Sequence, residues 1–295
     1  MTPPRPPRGQ GGGRPKPPRG RSSAKGRGAT PRGGGDDRPS RRRSDDELGG
    51  DQVEGRRAVT ALLATGRRPV QKVLVAAGQD PSEQLDEIEA LAQAARVPLE
   101  LVSRARLESL ARTDTHQGVL ALAPSIDPVS LDDLLDGSGP TPFLLVAAGI
   151  TDPRNLGALL RSAECAGVTG VVLPRHRTAR LSPTVAKTAA GAIEHLRFAT
   201  VAGIPAGLEQ LRRAGVLCLG LAGEASRSLY DLPIDDRPVA LVLGAEERGL
   251  APLVRRRCDE LVQIPQLGQT ESLNVSVAGA IACFEVARQR RAASA

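Results

Sequence analysis

At 295 residues the chain has room for a tail and one or two domains with a sizeable core, which must rest on aliphatic side chains because aromatics make up 1% and Trp is absent. The formal charge of +7 is uneven: residues 1–50 carry 13 Lys/Arg against 5 Asp/Glu, and the remaining 245 carry 27 against 28. The lack of any 18-residue apolar run argues against a membrane span, the lack of an apolar stretch at the N-terminus argues against secretion, and four scattered cysteines without CxxC or zinc-spaced His argue against disulfides and metal. A cytoplasmic location is expected.

Residues 1–50, dominated by Gly, Pro, Arg and Ser, hold too little apolar surface to offset the entropy of ordering them and are expected to be disordered. Their arginines suit RNA phosphates, although a merely solubilising tail explains them equally well. Residues 51–124 are expected to form a small α/β domain. Val59, Leu62 and Leu63 mark a helix, Val70–Ala76 a strand, and Ser82–Ala95 a helix with Leu85, Ile88, Leu91 and Ala92 on one face. Ser82 suits its N-cap. Pro98–Val102 reads as a strand, Ala105–Ala111 as a short helix and Gly118–Ala123 as a third strand. Residues 125–141, rich in Pro, Asp and Gly, read as a linker.

Residues 142–295 alternate more regularly. Strands are expected at Phe143–Ile150, Thr169–Leu173, His195–Val201, Val216–Leu221, Val239–Gly244 and Leu261–Ile264. Helices are expected at Leu156–Ala166, Pro183–Ala192, Leu208–Ala214 and Pro252–Arg257, and a long one at Leu273–Arg290 closes the chain. Near-continuous apolar strands between helices imply a mostly parallel sheet covered on both faces.

The common nucleotide and hydrolase signatures, GxxxxGK[ST], GxGxxG and GxSxG, are missing. Three other segments stand where a strand meets a turn or helix. Asp152-Pro153-Arg154-Asn155 opens a helix, and Arg154 and Arg161, seven apart, share one face of it. Leu243-Gly244-Ala245-Glu246 ends a buried strand, where ligands of open α/β sheets bind. Ser272-Leu273-Asn274-Val275-Ser276 enters the closing helix. Taken singly, each has a plain structural explanation: a solvated helix face, a turn, an N-cap.

Together and in this order, the three segments resemble the motifs of the TrmH/RlmB branch of the SPOUT methyltransferases. Glu54-Gly55-Arg56-Arg57-Ala58-Val59 and His116-Gln117-Gly118-Val119 are similar to the ribosomal-protein-like substrate domain of the ribosomal-RNA branch. The resemblance spans about residues 51–292, departing at Gln266, where the family often has Met, and at Glu247-Arg248, where Gly is frequent. It implies methyl transfer from S-adenosylmethionine to a ribose 2′-oxygen of RNA, a C-terminal trefoil knot and a homodimer with the site at the subunit interface. It also implies catalytic roles for Arg161, Asn155, Glu246, Ser272 and Asn274. Leu243, Gly244, Ile264, Leu273 and Ser276 would hold the cofactor, and Arg154, Arg56, Arg57 and His116 would bind RNA.

The family's proposed base corresponds to Arg161, yet a guanidinium is not expected to lose its proton in a protein. A fixed positive donor for the developing alkoxide is the physical alternative. The first domain makes a large-subunit (23S) ribosomal RNA guanosine the first choice of target. A transfer-RNA enzyme, an antibiotic-resistance methyltransferase acting elsewhere on ribosomal RNA, and a non-catalytic RNA-binding assembly factor stay open on the sequence.

Overall fold

The structure, a computed structural model, describes Leu48 and residues 51–136, 139–176, 178–270 and 272–293. The expectation of a disordered tail falls, Leu48 aside, outside the described residues.

The first part is a four-stranded sheet of β1 (Gln52–Glu54), β2 (Lys72–Ala76), β3 (Leu99–Val102) and β4 (Val119–Leu122) in the order β1-β4-β2-β3. Only the β2–β3 pair is parallel. Strand alternation sends Val73, Val75, Val119 and Ala121 to the face covered by α1 (Arg56–Thr65) and α2 (Glu83–Ala94). Leu74, Ala76 and Leu120 go to the other face, with Leu107 of α3 (Arg104–Leu110). Ser82 caps α2 by accepting from the Leu85 amide.

The second part is a seven-stranded sheet with every pairing parallel. Its elements are β5 (Phe143–Ala147), α4 (Pro153–Cys165), β6 (Gly170–Pro174), α5 (Pro183–Thr188), β7 (Phe198–Val201), α6 (Ile204–Arg213), β8 (Leu217–Leu221), β9 (Arg227–Ser228), β10 (Val239–Leu243), α7 (Pro252–Arg257), β11 (Glu260–Gln263) and α8 (Val275–Ala293). The strand order is β7-β6-β5-β10-β8-β11-β9. Both faces are buried, which is why the strands read as unbroken apolar runs. Phe143, Leu145, Leu241 and Leu243 pack with Leu156, Leu159 and Leu160 of α4 and with Ala282, Cys283 and Val286 of α8. Leu144, Val146, Ala240 and Val242 pack with Leu208 and Leu211 of α6 and Val254 of α7.

Residues 124–142 do more than connect. Val129 bridges Ala199 of β7, and a single 3-10 turn at Asp133–Leu135 buries Leu134, with Leu131 just before it, against the second sheet. Short polar turns hide such a contact because two leucines carry no recognisable period.

The two sheets are joined by a buried ion pair. Arg68, after α1, grips both carboxylate oxygens of Glu194, which is 2% exposed, and donates to the Pro124 carbonyl at 2.7 Å. Gly191 makes the close approach possible. Its φ is +94°, and a Cβ there would stand 2.4 Å from that of Ala61 in α1.

Candidate functional site

The carboxyl ends of β5, β8, β10 and β11 lie on one edge of the parallel sheet, where β10 enters between β5 and β8. Such edges leave a crevice for ligands. Asp152 caps α4 here by accepting from the Arg154 amide at 2.8 Å, and Pro153 fits the first helical position. That cap turns Asn155 toward the loops after β10 and before α8. Its Nδ2 donates to Glu246 Oε1 at 2.7 Å, and its Oδ1 accepts from Asn274 Nδ2 at 3.0 Å. Three segments, 91 and 119 residues from one another through Asn155, therefore meet in one hydrogen-bonded chain.

Asn274 serves two purposes. Its Oδ1 accepts from the Ser276 amide at 2.8 Å and hydroxyl at 2.6 Å, an N-cap for α8, while its amide nitrogen holds Asn155. The plain capping role and the site role belong to the same side chain.

Beside this chain lies a cavity of about 360 Å³ lined by the turns after β8 (Leu221–Glu224), β10 (Leu243–Leu250) and β11 (Val262–Ile264, Gln266) and by Ser272, Leu273, Val275 and Ala278. Gly244 shapes it. A Cβ on Gly244 would stand 2.1 Å from the Gly249 carbonyl carbon, so only glycine lets Ala245 and Gly249 exchange their two backbone hydrogen bonds. The walls are apolar at Leu243, Val262, Ile264 and Leu273 and charged at Glu224, Glu246, Glu247, Arg248 and Arg255. Glu224 is held below the usual carboxylate range by the hydrogen bond from Arg255.

Of the residues singled out in the sequence, Glu246, Ser272, Leu243, Gly244, Ile264 and Leu273 line this cavity, and Asn155 and Asn274 flank it. Ser276 is not in the lining; its hydroxyl is committed to Asn274. Arg161 is elsewhere. Six residues after Asn155, it is rotated about 120° around α4 and lines a separate cleft of about 320 Å³ with Arg57 and Lys187. Arg154 is exposed on the first turn of α4. Arg56 and His116 line a third cleft, about 720 Å³, on the four-stranded sheet. Arg56 directs three donors into the protein, to Ser82, Gln79 and the Gln117 carbonyl, so much of its capacity is structural.

Comparison with known proteins bears on this arrangement. Residues 142–284 match the model of the SpoU rRNA methylase family, and residues 52–129 match that of the RNA 2′-O ribose methyltransferase substrate-binding domain. The 23S rRNA (guanosine-2′-O-)-methyltransferase RlmB of Ralstonia nicotianae is 43% identical over 237 residues, 80% of this chain and 94% of its own. The chain belongs to the SpoU rRNA methylase family.

RlmB of Escherichia coli K12 is 39% identical over 242 residues, covering 81% of this chain and 99% of its own. A crystal structure described as an RNA 2′-O ribose methyltransferase is 29% identical with a TM-score of 0.66 over 81% of this chain and 88% of that one. The SpoU methyltransferase AviRb of Streptomyces viridochromogenes, solved with AdoMet, shares the fold at 22% identity, with a TM-score of 0.68 over 81% of this chain and 89% of that one. Within this SpoU chain, Gly223, Glu224 and Arg255 also line the cavity although they lie outside the three motif segments. Leu221-Ala222-Gly223-Glu224 carried the same signal as the β10 segment, an apolar strand ending in Gly and Glu, and was detectable on that ground.

Proposed function

We propose that this SpoU family member transfers a methyl group from S-adenosylmethionine to the ribose 2′-oxygen of a guanosine in 23S ribosomal RNA. The observation that carries the reading is Asn155, held between Glu246 and Asn274 at the edge of the 360 Å³ cavity. The four-stranded part is the RNA-binding module in this reading, and the threading of the chain around the cavity is the family's trefoil knot.

The cavity suits the donor. Leu243, Val262, Ile264 and Leu273 offer apolar walls to a purine, and the Gly244 backbone forms part of the wall. Three carboxylates (Glu224, Glu246, Glu247) against two guanidiniums (Arg248, Arg255) suit a donor that carries both a cationic centre and a carboxylate. When bound, S-adenosylmethionine supplies an activated methyl on a sulfonium. The chain's own task is alignment, worth up to roughly 7–11 kcal/mol in well-oriented systems. Asn155, oriented from both ends, and Ser272 at the cavity wall hold the incoming ribose. The Arg161 guanidinium stabilises the oxygen as its negative charge develops.

Arg161 is rotated about 120° around α4 from Asn155 and lines a different cleft, so the reading takes a homodimer in which Arg161 of one copy meets the cavity of the other. Helix α8 supports this. It buries Gly279, Ala282, Cys283 and Val286, yet Val277 and Phe284, seven residues apart on another face, are 46% and 51% exposed. A helix apolar on two faces has a second surface to cover. The four cysteines are unpaired, which fits the reducing cytoplasm.

Incubation with tritiated S-adenosylmethionine and unmodified 23S rRNA, followed by mapping of 2′-O-methyl sites, tests the proposal. Label on one guanosine ribose is expected. RNA without label, with the purified protein binding S-adenosylmethionine normally, overturns it.

A further inference from the structure

The cleft that holds Arg161 contains two more cations that make no ion pair among the described residues. Arg57 comes from the first turn of α1, in the four-stranded part, and Lys187 from the last turn of α5, in the seven-stranded part. Arg57, Arg161 and Lys187 form no side-chain hydrogen bond or ion pair among the described residues. Among the described residues Glu54 is the one carboxylate in the lining, and it is fully buried with its oxygens already engaged. Its oxygens accept from Gln52 Nε2, from the Arg112 and Thr113 amides and from the Thr113 hydroxyl. Three like charges around about 320 Å³ repel one another, and an anion between them relieves the repulsion.

The wall beside Lys187 is held in an uncommon backbone conformation. Ala190, also in the lining, has φ +52°, and Gly191 follows at +94°. Non-glycine residues in the left-handed region are uncommon and persist where the surroundings fix them. Here the surroundings are α1 itself, whose Ala61 and Arg57 carbonyl press on Gly191. The Lys187 stem packs 3.9 Å from the position of a Cβ on Gly55. The cleft therefore exists only while the two sheets are docked.

Resting on the functional reading above, we infer that Lys187 and Arg57 form a seat for an RNA phosphate next to the ribose that meets Arg161. Lys187 is a substrate-positioning residue under this assignment. The seat takes one cation from each sheet, so the RNA-binding part and the catalytic part grip the same stretch of backbone. Phosphate contacts of this kind fix register without reading sequence.

Methyl-transfer kinetics on a 23S rRNA transcript at several salt concentrations, together with RNA binding and calorimetry with S-adenosylmethionine, test the seat. Lys187→Gln is expected to raise KM for RNA about tenfold, with kcat less affected, and to flatten the slope of log K against log salt by about 0.7–0.9. Lys187→Arg keeps the charge and is expected to restore most of the loss. S-adenosylmethionine affinity should be unchanged, because its cavity is lined by other residues. Arg57→Gln, on the other sheet, should repeat the Lys187→Gln result and carries the test if Lys187→Gln disturbs folding. Unchanged KM and salt slope in both glutamine variants, or Lys187→Arg as defective as Lys187→Gln, overturns the seat. If the wild type methylates nothing, the functional reading fails, while the change in RNA binding still decides the seat.

Discussion

Asn155 is the residue on which the site turns, because an amide can donate and accept at once. Glu246 takes its N–H and Asn274 supplies a donor to its oxygen, so the side chain is fixed without rotational choice. Asn155→Ala removes both bonds and leaves Glu246 and Asn274 unpartnered at that point. Loss of a preorganised polar group of this kind costs about 10²–10³ in kcat. Calorimetry should show S-adenosylmethionine binding within about twofold of wild type, since Asn155 does not line the cavity; equal losses in both would remove its proposed role. The cysteines give a second residue-scale prediction. Burial pushes the Cys218 and Cys283 thiols up to about 12 and that of Cys258 up to about 11, so all three are protonated and unreactive at pH 8. Cys165 is exposed at the end of α4. An aromatic disulfide reagent at pH 8 should titrate one thiol per native chain and four after unfolding.

At the scale of elements, the closing helix α8 is seated by Gly279. A Cβ there would approach Leu159 Cδ1 to 2.3 Å and Leu243 Cδ2 to 2.7 Å. Gly279→Ala gains up to about 1 kcal/mol of helix propensity. Both leucines are buried, so they cannot swing aside, and overpacking costs about 1–3 kcal/mol. Overpacking wins, and thermal unfolding should show Tm lower by about 2–6 °C. Because Leu243 also lines the cavity, S-adenosylmethionine binding should weaken with it; a stabilised variant would contradict this packing. The same elements show what sequence made legible. Unbroken apolar runs gave β5 and β10, and the Leu156, Leu159, Leu160 stripe gave α4. Strands β1 and β9, with three and two residues, are too short to show a period. The sequence pattern starts α8 at Leu273, whereas the Asn274 cap begins it at Val275. Asn155, Glu246 and Asn274 could be grouped through a family resemblance that spacing alone does not provide. The side of α4 that faces the cleft shared with Arg57 could not be read, because that cleft depends on docking through Arg68 and Gly191. Arg161 therefore sits with Lys187, which no local pattern marks, and away from the cluster it was grouped with.

At the scale of the whole molecule, the separation of Asn155 and Arg161 sets a problem that one chain does not solve. About 120° apart on α4, Asn155 is bonded to the loops of the cavity while Arg161 lines another cleft. Either Arg161 acts only on the RNA beside its own cleft, or two copies share each site. A twofold-symmetric dimer makes these alternatives separable. Arg161→Ala and Asn155→Ala should each be inactive as homodimers. When they are mixed and allowed to exchange subunits, half of the dimers are mixed. In a shared-site dimer, each mixed molecule has one site with Asn155 from one chain and Arg161 from the other, both intact. Methyl transfer should then recover to about one quarter of wild type. In a site built within a single chain, every copy lacks one group and the mixture stays inactive. Phe284→Glu blocks the same recovery, because a carboxylate on the exposed apolar face of α8 would have to be buried for the subunits to join. Sedimentation of that variant should show a monomer that still binds S-adenosylmethionine, since Phe284 lies outside the cavity lining. Activity that returns in the mixture and disappears with Phe284→Glu ties the chemistry to the paired molecule; an active Phe284→Glu monomer returns Arg161 to a role on RNA alone.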